Sequence, residues 1–207
     1  MAREEQSRIL DLVANSTGGD IRREYCPAWL MRPGKTECGR AWPQVSDIYH
    51  ALTGLQMPEV MPLSERRSLD GVVTHRNGEH RIIEYDEEQH FNHYRALTLA
   101  HYPEWAVTAY DRNLWADHCR ANEILPGGRF GSAKPPLFPM AGGRHRQRAF
   151  RDMLADLLPP LYDIQPTLRI ASFEVRPWLY EPDAEHKMLQ LVEHKIKMSD
   201  TKSKYEK

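Results

Sequence analysis

Apolar residues recur at helical spacing along much of the chain, and the segments that carry them stop at residues that end helices. Residues 3–15 place Ile9, Leu10 and Val13 on one stripe, and the run ends at Gly18-Gly19. The same spacing predicts five further helices, over residues 45–55, 91–102, 114–124, 144–158 and 183–197. Between these helices, shorter apolar runs follow the pattern of extended chain.

These shorter runs predict the strands. Residues 68–74 and 81–86 flank Asn77-Gly78, which is among the strongest short signals for a hairpin. Residues 105–110 and 167–178 predict two more strands, so helices and strands alternate along the chain, as in an α/β fold. We expect a single domain over residues 1–200, with a core at 44–112, a helix-strand-helix extension at 144–198 and a frayed tail at 201–207.

The turn decides whether the acidic residues of the hairpin can meet. A two-residue loop at Asn77-Gly78 would point Asp70 and Glu84 to opposite faces of the sheet. A three-residue loop that ends in a left-handed Gly78 shifts the pairing by one residue. Asp70 then lies across from Glu84, and Asp86 lies on the same face. We predict this second register.

Three carboxylates on one face, Asp70, Glu84 and Asp86, raise one another's pKa values when they approach to hydrogen-bond distance. A divalent cation reverses this effect, and Mg²⁺ usually takes one or two carboxylates together with water and phosphate oxygens. The arrangement therefore suits metal-assisted phosphodiester hydrolysis, with His90 acting on water or on the leaving group. The other interpretation is a solvated strand end, where carboxylates complement the dipole of the next helix.

The same residues resemble those of a known superfamily. Asp70, the run Ile82-Ile83-Glu84-Tyr85-Asp86-Glu87-Glu88-Gln89-His90, and Arg95 and Leu99 are similar to the PD-(D/E)XK nucleases. The similarity is greatest to the branch of very-short-patch repair endonucleases, which shows an Asp followed by Glu-x-Asp-Gly-x-x-His. It spans residues 69–110. Asp86 stands where the superfamily has a lysine, as in that branch, and Glu87 stands where the branch has a glycine.

The resemblance implies a restriction-endonuclease-like fold, in which a mixed sheet of about four to six strands is flanked by helices. It implies Asp70 and Glu84 as ligands of Mg²⁺, which Mn²⁺ can replace, and His90 as the general acid or base. Asp86 would join them at the metal or occupy the usual place of the lysine. The expected function is an endonuclease acting on DNA. The alternative is a module of the same fold that has lost catalysis and binds nucleic acid or a protein.

Four arginines crowd the start of the helix predicted over residues 144–158, namely Arg144, Arg146, Arg148 and Arg151. Cations at this end oppose the helix dipole, so helix stability does not explain them. A bound phosphate would, since free N–H groups and arginines then act together. We therefore predict that all four contact the DNA backbone. The other interpretation is a set of ion pairs with acids such as Asp152 and Asp156.

Two irregular segments leave alternatives open. Residues 22–43 interleave Trp29 and Trp42 with basic residues, which suits phosphate contacts and base stacking, or a surface loop whose tryptophans pack into the core. Residues 125–143 are rich in proline and glycine, which suits a substrate-facing loop or a mobile insertion.

Composition narrows the compartment and the partners. The 207 residues carry a formal net charge of −1, so DNA binding requires a local basic patch. No run approaches the ~20 apolar residues of a membrane span, and the first residues lack a secretory apolar region, so we expect a cytoplasmic protein without a membrane partner. Cys26, Cys38 and Cys119 favour reduced thiols, with a zinc site as the alternative. A homodimer is compatible with this composition.

Overall fold

The computed structural model describes residues 2–62, 67–122 and 131–204 of the chain. The helices in these ranges are α1 (Ala2–Thr17), α2 (Ala28–Met31), α3 (Lys35–Cys38), α4 (Trp42–Thr53), α5 (His93–Ala100), α6 (Arg112–Ala121), α7 (Gly143–Leu157), α8 (Ser172–Val175) and α9 (Ala184–Lys204). The strands are β1 (Asp20–Tyr25), β2 (Leu69–Thr74), β3 (His80–Asp86) and β4 (Gln165–Ala171).

The strands form one mixed sheet in the order β1-β2-β3-β4. The pairs β1–β2 and β2–β3 are antiparallel, and β4 runs parallel to β3. Helices α1 and α9 pack together on one face of the sheet, and α4, α5 and α7 pack together on the other. The prediction of an α/β fold with a mixed sheet flanked by helices is therefore confirmed.

The loop between β2 and β3 has the predicted three residues. Gly78 has a φ of +84°, a conformation that glycine adopts without steric cost, and its N–H donates back across the loop at 2.9 Å. The ladder pairs Gly71 with Ile83, and one further step in the same register brings Asp70 opposite Glu84. The predicted register is confirmed.

Each face of this hairpin packs against its own layer of helices. Val73 and Ile83 belong to the apolar cluster under α1 and α9, whereas Ile82 belongs to the cluster under α4 and α7. Since side chains alternate along a strand, Glu84 and Asp86 lie on the same face as Ile82. The acidic residues of the hairpin therefore face α7.

The first strand is not predicted by the sequence pattern, and it overlaps the segment expected to be irregular. β1 is an edge strand with the sequence Asp-Ile-Arg-Arg-Glu-Tyr, in which every residue is exposed or only partly buried. Charged side chains suit an edge because they discourage pairing with a further chain. They also remove the apolar alternation by which a strand is recognised in a sequence.

Two other strand predictions are corrected. Residues 105–110 form no strand, and β4 takes the place beside β3. Ala106 packs into the apolar cluster under α4 and α7, and Tyr110 packs into a separate cluster with Trp115. The strand predicted over residues 167–178 ends at Ala171. Ala171 is the residue before α8, and its N–H donates to Oε2 of Glu174 in that helix at 2.9 Å, so the chain turns into a helix there.

The last helix is longer than predicted, since α9 continues to Lys204, into the segment expected to fray. The predictions for residues 123–130, which include part of the proline- and glycine-rich loop, lie outside the described residues, as do those for residues 205–207. None of the described helices combines the length and the apolar character needed to cross a bilayer.

Candidate active site

The side chains of Asp70 and Glu84 each accept a hydrogen bond from a backbone N–H of the facing strand. The N–H of Asp70 donates to Oε1 of Glu84 at 3.2 Å, and the N–H of Tyr85 donates to Oδ2 of Asp70 at 2.7 Å. Each carboxylate thus has one oxygen fixed by the sheet. Of the remaining two oxygens, Oε2 of Glu84 lies 3.5 Å from Nη2 of Arg67.

Burial makes the pair costly to ionise. It raises the pKa of Glu84 to about 8, and the charge of Asp70 adds to this effect while Arg67 opposes it. Burial also raises the pKa of Asp70, although the Tyr85 N–H and His90 favour its charged form. A divalent cation reverses such shifts, and Mg²⁺ needs only one or two carboxylates. The two remaining oxygens are carboxylate oxygens, the type of ligand that such a cation takes.

His90 lies in a short 3-10 turn after β3 and is held by two carboxylates. Its Nδ1 lies 2.9 Å from Oδ2 of Asp152 and 3.5 Å from Oδ1 of Asp86. Burial alone would lower the pKa of His90, but Asp152 and Asp86 outweigh burial and raise it. Nδ1 is therefore the protonated nitrogen that faces the acids, and Nε2 is left for other partners.

Asp152 comes from α7, and the sequence suggests it only as an ion-pairing residue. Burial would raise its pKa, yet the positive charges of His90 and Arg169 lower it well below its usual range. It is thus a carboxylate held ionised beside the imidazole. Its position one turn after Arg148 on an amphipathic helix is the available signal, but only the fold shows that it reaches His90.

Asp86 has different partners from those predicted. It is 1% exposed, and it accepts hydrogen bonds from Nε1 of Trp115 at 2.9 Å and from Nη1 of Arg169 at 2.6 Å. Asp86, His90 and Asp152 offer ligand atoms within 4.8 Å of one another. Arg169 forms ion pairs with Asp86 and Asp152 of this group at 2.6 Å and 3.7 Å, whereas the arginine in contact with the hairpin pair is Arg67, 3.5 Å from Glu84.

One cleft of about 210 Å³ brings these acids together with the arginines of α7. Its lining residues are Arg67, Ser68, Asp70, Glu84, His90, Arg144, Gln147, Arg148, Arg151 and Asp152. Three of the four arginines that the sequence predicts to contact the DNA backbone, Arg144, Arg148 and Arg151, line this cleft. Arg67, which shortly precedes β2, is not predicted as part of the site.

Arg146 lies outside the cleft. Its guanidinium donates from Nη1 to the carbonyl of Leu52 and lies 4.3 Å above the ring of Tyr94. These contacts tie α7 to α4 and α5, since residue 146 lies on a different side of the helix from its neighbours in the cleft. Arg146 therefore connects helices, and the predicted phosphate contact does not apply to it.

The first amides of α7 are also engaged. The N–H of Gly143 donates to the carbonyl of Met140 at 3.0 Å, and that of Arg144 donates to the carbonyl of Ser132 at 2.9 Å. These two N–H groups are therefore not free to share a phosphate with the arginines, contrary to the expectation from the sequence. The contact with phosphate falls to the arginine side chains.

The remaining candidate residues have ordinary structural positions. Trp29 stacks on Tyr162 with 4.4 Å between ring centroids, which favours packing over base stacking. The thiols of Cys26, Cys38 and Cys119 are all free, and burial raises the pKa of the Cys38 thiol to about 12. The described residues contain no group of three cysteine and histidine ligands that could hold zinc.

Comparisons with known proteins add one finding. The sequence model of a family of unknown function (DUF7255) matches residues 47–128, a segment that includes the acidic hairpin and His90 but ends before α7. No curated protein matches the chain. No solved structure matches it either.

Proposed function

We propose that the chain is a Mg²⁺-dependent endonuclease of the PD-(D/E)XK type that hydrolyses phosphodiester bonds in DNA. One observation carries this proposal: the hairpin register sets Asp70 beside Glu84 in a cleft that also holds His90 and three arginines of α7. Acids that bind a cation and cations that bind phosphates are needed together for this chemistry.

The role that we propose for each residue follows from the atoms that its hydrogen bonds leave available. Asp70 and Glu84 would hold the cation, which supplies Lewis acidity at the phosphate when bound. His90 carries a proton on Nδ1 for Asp152 and, in its charged form, a second proton on Nε2. That second proton can pass to the ester oxygen that leaves phosphorus. Asp152 orients the ring and stabilises its charged form.

The decisive experiment incubates supercoiled plasmid with the protein in Mg²⁺, Mn²⁺ or EDTA. We expect wild-type protein to nick or linearise the plasmid only with a metal, and the Asp70→Ala variant to show no cleavage above background. Glu79→Gln is the matched control, because Glu79 is an exposed acid of the same hairpin that bonds Asn77 and Gln165 outside the cleft. Equal cleavage by wild type and Asp70→Ala would end the proposal.

The basic side of the cleft gives a separate prediction. We expect the double variant Arg144→Gln/Arg148→Gln to weaken duplex binding and to reduce the slope of log affinity against log salt concentration. The reduction should be about 0.9 for each phosphate that the variant no longer neutralises. Arg146→Gln should leave the slope unchanged, since this arginine contacts Leu52 and Tyr94 instead. Fluorescence anisotropy with a labelled duplex in Ca²⁺ measures both, and equal slopes in all three proteins would contradict the assignment.

A second candidate is a binding module of the same fold without catalysis. The observation that favours it is the engagement of Asp86 by Trp115 and Arg169, which leaves only two carboxylates for the metal. This candidate predicts a shift in gel mobility for the wild-type protein without cleavage in any of the metals. The plasmid assay and the anisotropy titration together separate the two functions.

A further inference from the structure

Three buried arginines, Arg67, Arg95 and Arg169, contact buried acids in or near the cleft, and Arg95 and Arg169 are well bonded. Arg169 donates to Asp156, Asp86 and the carbonyl of Asp152 at 2.6 to 2.9 Å. Arg95 donates to Asp156 and to nearby hydroxyl groups. These contacts are what the interior of a protein requires of a buried guanidinium.

Arg67 is different. Its side chain is 6% exposed, and it pairs with Glu84, at 3.5 Å from Nη2. Nη1, the other terminal nitrogen of the same planar group, is buried and has no hydrogen-bond partner. An incompletely bonded guanidinium is unfavourable in a buried position unless something else uses the donor.

The position of Arg67 suggests that use. It lines the cleft together with Asp70, Glu84 and His90. Arg144 and Arg148 line the same cleft from α7, whereas Arg67 reaches it from the sheet side, next to the carboxylates. A guanidinium presents its donors as a rigid planar fork, which suits two oxygens of one phosphate.

We propose that Arg67 is a catalytic residue that binds the non-bridging oxygens of the phosphate that is cleaved. This inference rests on the proposed nuclease function and adds a residue to it. In the reaction, a water oxygen forms a bond to phosphorus and the bond from phosphorus to the leaving ester oxygen breaks. The water loses a proton to solvent, and the leaving oxygen takes one from His90. Arg67 donates hydrogen bonds to the oxygens on which negative charge increases during this exchange.

The test compares Arg67→Met and Arg67→Lys with wild type under single-turnover conditions on supercoiled plasmid. We expect Arg67→Met to cleave at least ~100-fold more slowly, as when one transition-state donor is removed. Affinity for a labelled duplex in Ca²⁺ should fall by less than ~10-fold, because the arginines of α7 remain. Arg67→Lys should recover part of the rate, since it restores the charge without the fork.

Arg81→Met is the matched control. Arg81, in β3, is also a buried arginine with one unbonded nitrogen, Nε, but it donates to the carbonyl of Pro166 and does not line the cleft. Loss of a buried guanidinium as such should affect both variants alike. Slower cleavage by Arg67→Met than by Arg81→Met, when both melt cooperatively, shows that Arg67 acts at the site, either on the phosphate or by positioning Glu84.

Calorimetric titration with Mn²⁺ alone supplies a readout that does not depend on cleavage. If Arg67 serves the phosphate, Arg67→Met binds Mn²⁺ at least as tightly as wild type, since a cation competing for Glu84 has been removed. Weaker Mn²⁺ binding would show that Arg67 only positions Glu84, and would overturn the inference. Undiminished cleavage by Arg67→Met would overturn it and leave the nuclease proposal standing, whereas absence of cleavage by wild type overturns both.

Discussion

Replacing Glu84 by glutamine is expected to abolish metal-dependent cleavage and, at the same time, to stabilise the metal-free protein above pH 8. The loss of cleavage follows because the amide cannot supply the negative charge that a divalent cation requires. The gain in stability follows because the carboxyl group is buried beside Asp70 with only a long contact to Arg67. Glutamine removes a charge that the folded protein accommodates at a cost.

The sign of the pH dependence comes from the raised pKa. Glu84 has a pKa of about 8 in the folded protein against an ordinary value of 4.5. Between these values the folded protein keeps a proton that the unfolded chain has released. The free energy of unfolding therefore falls as the pH rises from 4.5 to 8. Each pKa unit corresponds to about 1.4 kcal/mol, so the loss is on the order of a few kcal/mol.

Urea unfolding without metal at pH 5, 7 and 8.5 measures this difference. We expect wild type and the Glu79→Gln control to lose stability over that range, and Glu84→Gln to lose much less. Addition of Mn²⁺ at pH 8.5 should stabilise wild type, because binding to the folded state alone shifts the equilibrium, and should not stabilise Glu84→Gln. A variant that follows the wild-type pH profile, or that still cleaves DNA, would show that Glu84 is not a metal ligand.

The half of the site that could be predicted from the sequence is the half that local structure determines. The hairpin register is set locally, since Gly78 tolerates the left-handed conformation that closes a three-residue loop. The alignment of Asp70 with Glu84 follows from that loop alone. Local turn chemistry and the period of two along a strand are both visible in a sequence, and this half of the site could be predicted.

The other half depends on contacts between distant segments. Asp152 meets His90 across 62 residues of chain, and Arg67 reaches Glu84 from a position before β2 that has no distinctive pattern. The partner of Asp86, Arg169, lies on β4, whose parallel pairing with β3 is not specified by any local signal. In the sequence Asp86 therefore looks like a third metal ligand, whereas in the fold it forms an ion pair with Arg169.

The edge of the sheet escapes prediction for a related reason. β1 presents charged residues where an edge strand benefits from them, so it lacks the apolar period that marks β2 and β3. In contrast, residues 105–110 are apolar enough for a strand but pack as irregular chain into two of the apolar clusters. Apolar content predicted burial correctly in this segment, and it predicted the wrong backbone conformation.

Arg169 is the centre of the buried ionic network beneath the cleft. Its three nitrogens reach Asp156 and the Asp152 carbonyl on α7 and Asp86 on β3, while the residue itself lies on β4. Burial would lower the pKa of Arg169, but Asp156, Asp86 and Asp152 together raise it. This network joins the parallel strand pair to the helix that carries Asp152, and it sets the distance between the sheet and α7.

Replacing Arg169 by methionine is therefore expected to cost about 3–5 kcal/mol, since removal of one partner leaves buried charges uncompensated. Asp86 and Asp156 would each lose a hydrogen bond of 2.6 to 2.7 Å in a site that water does not reach. The surface pair of Arg23 and Asp11 provides the control, because Arg23→Met should cost at most about 1 kcal/mol. Urea unfolding at pH 7 measures both variants.

Equal stability of Arg169→Met and Arg23→Met would contradict the view that this network holds α7 against the sheet. A second variant tests the same view from the opposite side. Asp86→Asn keeps a hydrogen-bonding group for Trp115 while removing the charge that Arg169 neutralises. Combined with Arg169→Met it should recover part of the lost stability, because the two residues belong to one network and their effects are not additive. Such recovery would show that Asp86 and Arg169 stabilise the fold as one coupled pair.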